Sequence, residues 1–529
     1  MNSMRNRSYH SIRVLIIVFL LISVVAPLIT LLCNIHVGDI PKIIDAPQFW
    51  PMIFNSLLAS ALATAISVTL ALALAWCVNR SSIKMKGLFS VLFTLPMLIP
   101  SISHGMGLVL LFGDNGLLTN LFGVNLPLYG LLGVVIGEVL YSFPVAFLLF
   151  TDTFQYEDYT IYEAAEVLGL SKFNQFDCIT LANMKRPLLS AIFAVFTLVF
   201  TDYGVPLVLG GKMMTIPVYM YREVIGLLDF SKGAIIGILL LIPAVIAFIA
   251  DLRNKDGQRS STIVRAYEIH PNKVRDGLSY LLCIVTVVLI SLPILTFVYL
   301  SVVKQYPIDL SFSLVNVAKA FDLGLGMYLI NSLTIALFSA LIGVLLTYFA
   351  AYITARSKRT FTTMALHLIS ILSLAIPGIV LGLSYVLFFK GSVIYGTLAI
   401  LVQVNLVHFF ASPYLLAYNS FSNFNENLED VSMTLGISRM RMLSDVYMPC
   451  MKETLCEMFS YIFVNAMVTI SAVSFLANFK TMPLSLLIPQ FDSQSLIEAT
   501  AFISVVILAV NVLMKIAVFF VKHRIKRYE

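Results

Sequence analysis

Residues 161–182 read IYEAAEVLGLSKFNQFDCITLA, and residues 428–449 read LEDVSMTLGISRMRMLSDVYMP. The second stretch repeats the first at a shift of 267 residues. Glu163-Ala164-Ala165 falls on Asp430-Val431-Ser432, Leu168-Gly169 on Leu435-Gly436, and Ser171 on Ser438. Ile161, Ala164, Ala165 and Leu168 recur at intervals of three and four, which places them on one face of a short helix. Leu428, Val431, Ser432 and Leu435 repeat that face. Glu157, Asp158 and Glu166 fall elsewhere, as do Glu426 and Glu429 in the second copy. Gly169 and Gly436 suit helix stops in the left-handed conformation. The pattern predicts two short helices joined at a fixed angle, built twice.

Both copies lie in polar stretches between long apolar ones. With 59% hydrophobic and 12% charged residues and a mean hydropathy of +0.93, the chain has too few polar residues to coat a soluble core. It reads as an all-α polytopic membrane protein of about twelve transmembrane helices, since a hydrocarbon core of roughly 30 Å needs about 20 helical residues. The expected spans are 13–33, 53–78, 88–112, 129–151, 188–209 and 233–252, then 278–303, 327–355, 363–389, 393–418, 454–478 and 498–521. The runs do not alternate as β-barrel strands do. The first is kept as an anchor rather than a cleaved signal, because no small-x-small cleavage site follows it.

Lys and Arg cluster at 5–13, 80–86, 172–186, 253–275, 356–359, 439–452 and 522–527. With twelve spans every cluster falls on one side, so the positive-inside rule makes both termini and both repeated loops cytoplasmic. The net charge of +6 is then a topology signal and a modest attraction to anionic lipid, not a sign of nucleic-acid binding. Six cysteines show no C-x-x-C or regular pairing, which predicts neither a metal site nor a disulfide.

The repeat extends beyond the loops. Asn55-Ser56-Leu57 and Arg80 return as Asn331-Ser332-Leu333 and Arg356, and Pro100 and Gly105 as Pro377 and Gly382. An even number of spans separates the copies, which makes them parallel repeats. The expected organisation is a first half at 1–252, a basic linker at 253–277 and a second half at 278–529, each half with about six helices.

The duplicated spacing resembles the EAA loop of ABC importer permeases, which reads Glu-Ala-Ala, three residues, Gly, nine residues, Ile-x-Leu-Pro. The first copy departs at Ala182, where the pattern has Pro, and the second at Asp430-Val431-Ser432. The resemblance implies that Glu163, Ala164, Ala165, Leu168 and Gly169, with Asp430, Val431, Ser432, Leu435 and Gly436, dock onto two copies of a separate ATPase. It further implies a pore in a bacterial inner membrane, fed by an external or periplasmic substrate-binding protein, with ATP and Mg held by the ATPases and no cofactor on this chain. The chain itself is then a transport subunit and not an enzyme. Gly210-Gly211-Lys212 is no phosphate loop, because Pro206 and Met213 stand where Gly and Ser/Thr are required.

Ionisable groups inside spans are costly and mark candidate pathways. Glu138, Asp202, Thr469 and Asn465 are the candidate substrate-path residues, with helix capping or interhelical bonding as the alternative for the acids. Thr201 to Pro206 is expected to unwind span five near its outer end, where Asp202 would meet a cationic group of the substrate. Thr201–Met213 and Val464–Leu476 resemble 2-aminoethylphosphonate permeases, so a phosphonate is the expected cargo, with ferric iron or thiamine as alternatives. A secondary active transporter is the rival of another class. It leaves the duplicated loops unexplained.

Overall fold

A computed structural model describes residues 7–123, 126–255, 265, 267–358 and 360–528. Among these, nine helices are long and apolar enough to cross a membrane, and two bent helix pairs bring the total to eleven. The only strands among the described residues are a two-stranded hairpin, Val303–Gln305 with Asp309–Phe312. The fold is thus all-α and polytopic, as its composition requires.

The twelfth expected span is present as a helix of 17 residues, too short to be counted among these, for a local reason. Span eleven, read as 454–478, is helical only over Lys452–Val468 and stops where Thr469 turns extended (ψ 138°). Span five ends in the same way, at Thr201, because Asp202 is extended (ψ 137°). Both breaks sit at the same point of the repeat. Spans three and nine also depart from straight rods. Pro96 and Pro100 interrupt 88–112, leaving Lys86–Thr94, a 3₁₀ turn and then Ser101–Phe112. Pro377 divides 363–389 into two segments bent by 113°. A ring in place of the N–H cannot continue a helix through such points.

Two compact units form, and each draws on both halves of the sequence. Unit one comprises Met1–Ile40, Tyr221–Leu241 and Val315–Glu529; unit two comprises Pro41–Met220 and Ile242–Leu314. The linker expected at 253–277 includes residues 256–264 and 266, which lie outside the described ones; the packing groups the first span of each half with helices of the other half. In unit one, the N-terminal span Ser11–Cys33 bonds to second-half helices: Tyr385 Oη donates to the Ser23 carbonyl at 2.8 Å and Gln403 Nε2 to Ser23 Oγ at 2.8 Å. In unit two, the span Lys273–Ser301 lies so close to Ser101–Phe112 that a Cβ on Gly107 would approach Pro293 to 2.7 Å.

The repeated Asn-Ser pair explains how each broken span is held. Ser56 Oγ accepts the Ile216 N–H at 2.8 Å, and Asn55 Nδ2 donates to the Met214 carbonyl at 3.2 Å. Ser332 Oγ accepts the Leu484 N–H at 2.6 Å, and Asn331 Nδ2 reaches the Lys480 and Met482 carbonyls at 2.9 and 3.2 Å. Each pair therefore satisfies backbone groups at the start of the helix that follows the broken span. Gly105 and Gly382 let their helices approach the chain just after each break; a Cβ on Gly382 would come within 2.7 Å of the Ala472 carbonyl oxygen. Ser332→Ala should leave the Leu484 N–H buried and unpaired, at a cost of about 1–3 kcal/mol. The thermal midpoint of the purified protein in detergent should fall, while Ser332→Thr, which keeps the acceptor, should fall less.

Candidate functional site

The two repeated loops fold alike, bond for bond. Thr160–Val167 and Leu428–Thr434 are short helices. The first stops with Gly169 N–H on the Glu166 carbonyl (2.9 Å) and Leu170 N–H on that of Ala165 (3.0 Å). The second stops with Gly436 N–H on Met433 (3.2 Å) and Ile437 N–H on Ser432 (2.8 Å). Both glycines are left-handed, with φ of 74° and 66°. This is the paired-bond stop that favours glycine. Ser171 Oγ then accepts the Asn174 N–H, and Ser438 Oγ the Arg441 N–H, each at 3.3 Å, opening the next short helix.

The predicted helix face divides in two. Ala165 and Ser432 point inward and are buried, Ala165 against Tyr159, Tyr162 and Ile179. Ile161, Ala164 and Leu168 are exposed, as are Val431 and Leu435. Val167, Leu168 and Phe173 are 88%, 77% and 78% exposed, a run of large apolar side chains in a charged loop. Glu163 is half-exposed and takes both oxygens to Arg265 Nη1, at 2.7 and 2.9 Å; Asp430 is exposed.

Below each loop lies a buried ion pair that spacing alone does not reveal. Arg80, at the end of the span Phe49–Arg80, pairs with Glu157, both side chains 5% exposed. Glu157 Oε1 also accepts the Tyr162 hydroxyl at 2.6 Å. Arg356, just after the span Leu325–Ala355, pairs with Glu429, which accepts the Tyr447 hydroxyl at 2.6 Å. Burial first, and the neighbouring carboxylate second, hold both phenols above their ordinary range, so each stays a proton donor. The remaining guanidinium groups are met differently. Arg356 donates to the Phe424 and Asn425 carbonyls at 3.0 and 2.6 Å. Arg80 instead lies 3.5 Å from the ring centroid of Tyr267, which also packs edge-on against Tyr159 and Tyr162. Such a stack suits a planar cation.

Of the polar groups within spans, Glu138 and Asp202 come together in unit two, beside one small cavity. Asp202 Oδ2 accepts the Val205 N–H at 2.9 Å and so caps the helix after the break. Thr469 marks the corresponding break in unit one, where its carbonyl accepts Ser485 Oγ at 2.8 Å. Asn465 bonds within its own helix, to the Tyr461 carbonyl at 2.8 Å. The cavity has room for about one water-sized occupant, which is too little for an organic zwitterion. Removing one member of a buried ion pair strands the other, typically at about 3–5 kcal/mol. Arg80→Met should therefore lower the thermal midpoint sharply, and adding Glu157→Leu should restore much of it.

Residues 65–253 and 343–527 match the family described as binding-protein-dependent transport system inner membrane component, one match in each half of the repeat. The chain is 26% identical over 461 residues to the putative ferric transport system permease protein FbpB 1 of Haemophilus influenzae, covering 84% of this chain and 73% of that protein. It is 26% identical over 452 residues to the ferric transport system permease protein FbpB of Actinobacillus pleuropneumoniae, covering 81% of this chain and 65% of that protein. The thiamine transport system permease protein ThiP of Haemophilus influenzae is 27% identical over 183 residues, 32% of this chain and 34% of that protein. With both halves matched and the duplicated loops in place, the chain belongs to the binding-protein-dependent family of ABC importer permeases.

Proposed function

We propose that this permease forms the inner-membrane pathway of a ferric-iron importer. The observation that carries this reading is the extent of similarity to two ferric permeases, more than four-fifths of the chain in each case. The thiamine relative matches about a third of it. The comparisons lend no support to the phosphonate expectation. The stretches 201–213 and 464–476, which suggested it, include the two span breaks.

In this reading two ATPase copies engage the loops at Glu163–Gly169 and Asp430–Gly436, and a separate binding protein delivers the cargo. The exposed apolar side chains at Val167, Leu168, Val431 and Leu435 support a protein partner there, because contiguous apolar exposure marks interaction surfaces. Both termini and both loops face the cytoplasm, in keeping with the Lys and Arg clusters. ATP-driven closure of the ATPases moves the two short helices. The Arg80–Glu157 and Arg356–Glu429 pairs then carry that motion to the long spans beside them.

Two measurements test this. Proteoliposomes holding the permease with its ATPase should take up iron from a ferric-loaded binding protein, with ATP hydrolysed inside; excess thiamine or 2-aminoethylphosphonate should not compete. Uptake of either organic compound without iron uptake would overturn the ferric reading. Gly169→Val and Gly436→Val place a branched side chain at positive φ, at about 1–2 kcal/mol. Each should weaken ATPase co-purification roughly ten-fold while membrane insertion stays normal. Normal uptake in Gly436→Val would show that the second loop does not dock.

A further inference from the structure

The cavity in unit two has a chemistry that neither docking nor capping uses. Glu138 is fully buried, and neither of its carboxylate oxygens meets a hydrogen-bond donor. The Thr215 hydroxyl, 4% exposed, lines the same cavity and is also without a partner. Asp202 adjoins Glu138 there, and Ser56 and Ser60 complete the polar lining. Among the described residues no Lys, Arg or His lines it. Two carboxyl groups face one void in an apolar surrounding with no protein cation to balance them.

We infer that this cavity is a binding site for a single hard metal cation, held by Glu138, Asp202 and the Thr215 hydroxyl. A proton shared by the two carboxyl groups would engage one Glu138 oxygen and leave the other and Thr215 unmet. One cation in the void engages all three oxygens and balances the charge. Carboxylate and hydroxyl oxygens are the donors of hard cations such as Ca²⁺, Mg²⁺, Mn²⁺ or Fe³⁺. Among the described residues no three His, Cys, Asp or Glu side chains gather as a metal site, so the hydroxyls are needed to complete the set. The site exists once. At the shift that matches the loops, Glu138 and Asp202 become Asn405 and Thr469, both neutral. The inference is independent of the ferric reading, since the occupant is either a resident dication or the ferric cargo.

The test uses the full-length permease, purified in detergent and exposed separately to Mn²⁺ alone and to ferric citrate alone, then desalted. Bound metal is counted by elemental mass spectrometry and its environment read by electron paramagnetic resonance. Wild type should retain about one equivalent of at least one of the two metals, and Glu138→Gln and Thr215→Val should each reduce retention at least ten-fold. Retention of Mn²⁺ identifies a resident dication, and retention of iron alone identifies the cargo; either supports the site. Thermal midpoints measured alongside separate lost binding from lost folding, and Thr215→Ser, which keeps the hydroxyl, should restore retention. No metal on wild type, or equal metal on folded Glu138→Gln, overturns the site and leaves a shared proton. Iron uptake from the binding protein is measured separately, so a failed site and a failed ferric reading give different results.

Discussion

An arginine at the end of a long apolar helix has to find a carboxylate when the chain buries it. That constraint organises the repeated loop of each unit. Arg80 and Arg356 end or follow spans of 32 and 31 residues, and each is drawn beneath a short loop helix. The pairs are buried and hydrogen-bonded on several sides, so desolvation is offset by contacts that hold only in one arrangement. The loop helix consequently has a defined position relative to its span. A lever that slid on its support would transmit nothing.

The two halves reach this arrangement with different residues. At the loop shift, Glu157 falls on Phe424, and Glu429 falls on Tyr162. The tyrosine changes place as well, since Tyr447 falls on Thr180. What recurs is a triad of guanidinium, carboxylate and phenol, not a set of aligned positions. Long side chains on a short helix can approach one arginine from several registers, so the geometry survives while the alignment does not. The charge balance has diverged too. Unit two keeps Glu138 and Asp202 together, whereas Asn405 and Thr469 stand at the matching positions of the other half.

Much of this was legible beforehand, and the reasons are physical. Glycine at a helix stop and serine opening the next helix are local requirements, so the loops could be read from spacing. The unwinding after Thr201 followed from Asp202, Gly204 and Pro206 standing together, and Thr469 marks the same break. Hydropathy saw apolar length and therefore counted 363–389 and 454–478 as ordinary spans. It carries no information about a 113° bend or about where a helix yields to extended backbone. The exchange of first spans between units was equally invisible, because lipid-facing helices differ little in pattern whichever neighbour they pack on. The ion pairs were missed for a third reason. Arg80 and Arg356 were visible as repeated positives, but their partners lie at unmatched positions.

The loop helices themselves show why the stop and the ion pair belong together. Ala165 and Ser432 face inward where the helix meets its support, beside the buried Tyr162 and Glu429. Leu168 and Leu435 face outward one turn later, immediately before the left-handed glycine. The glycine sets the angle at which the next helix leaves, while the buried pair sets the height of the whole element against its span. The outward face thus belongs to a body whose orientation and depth are both fixed.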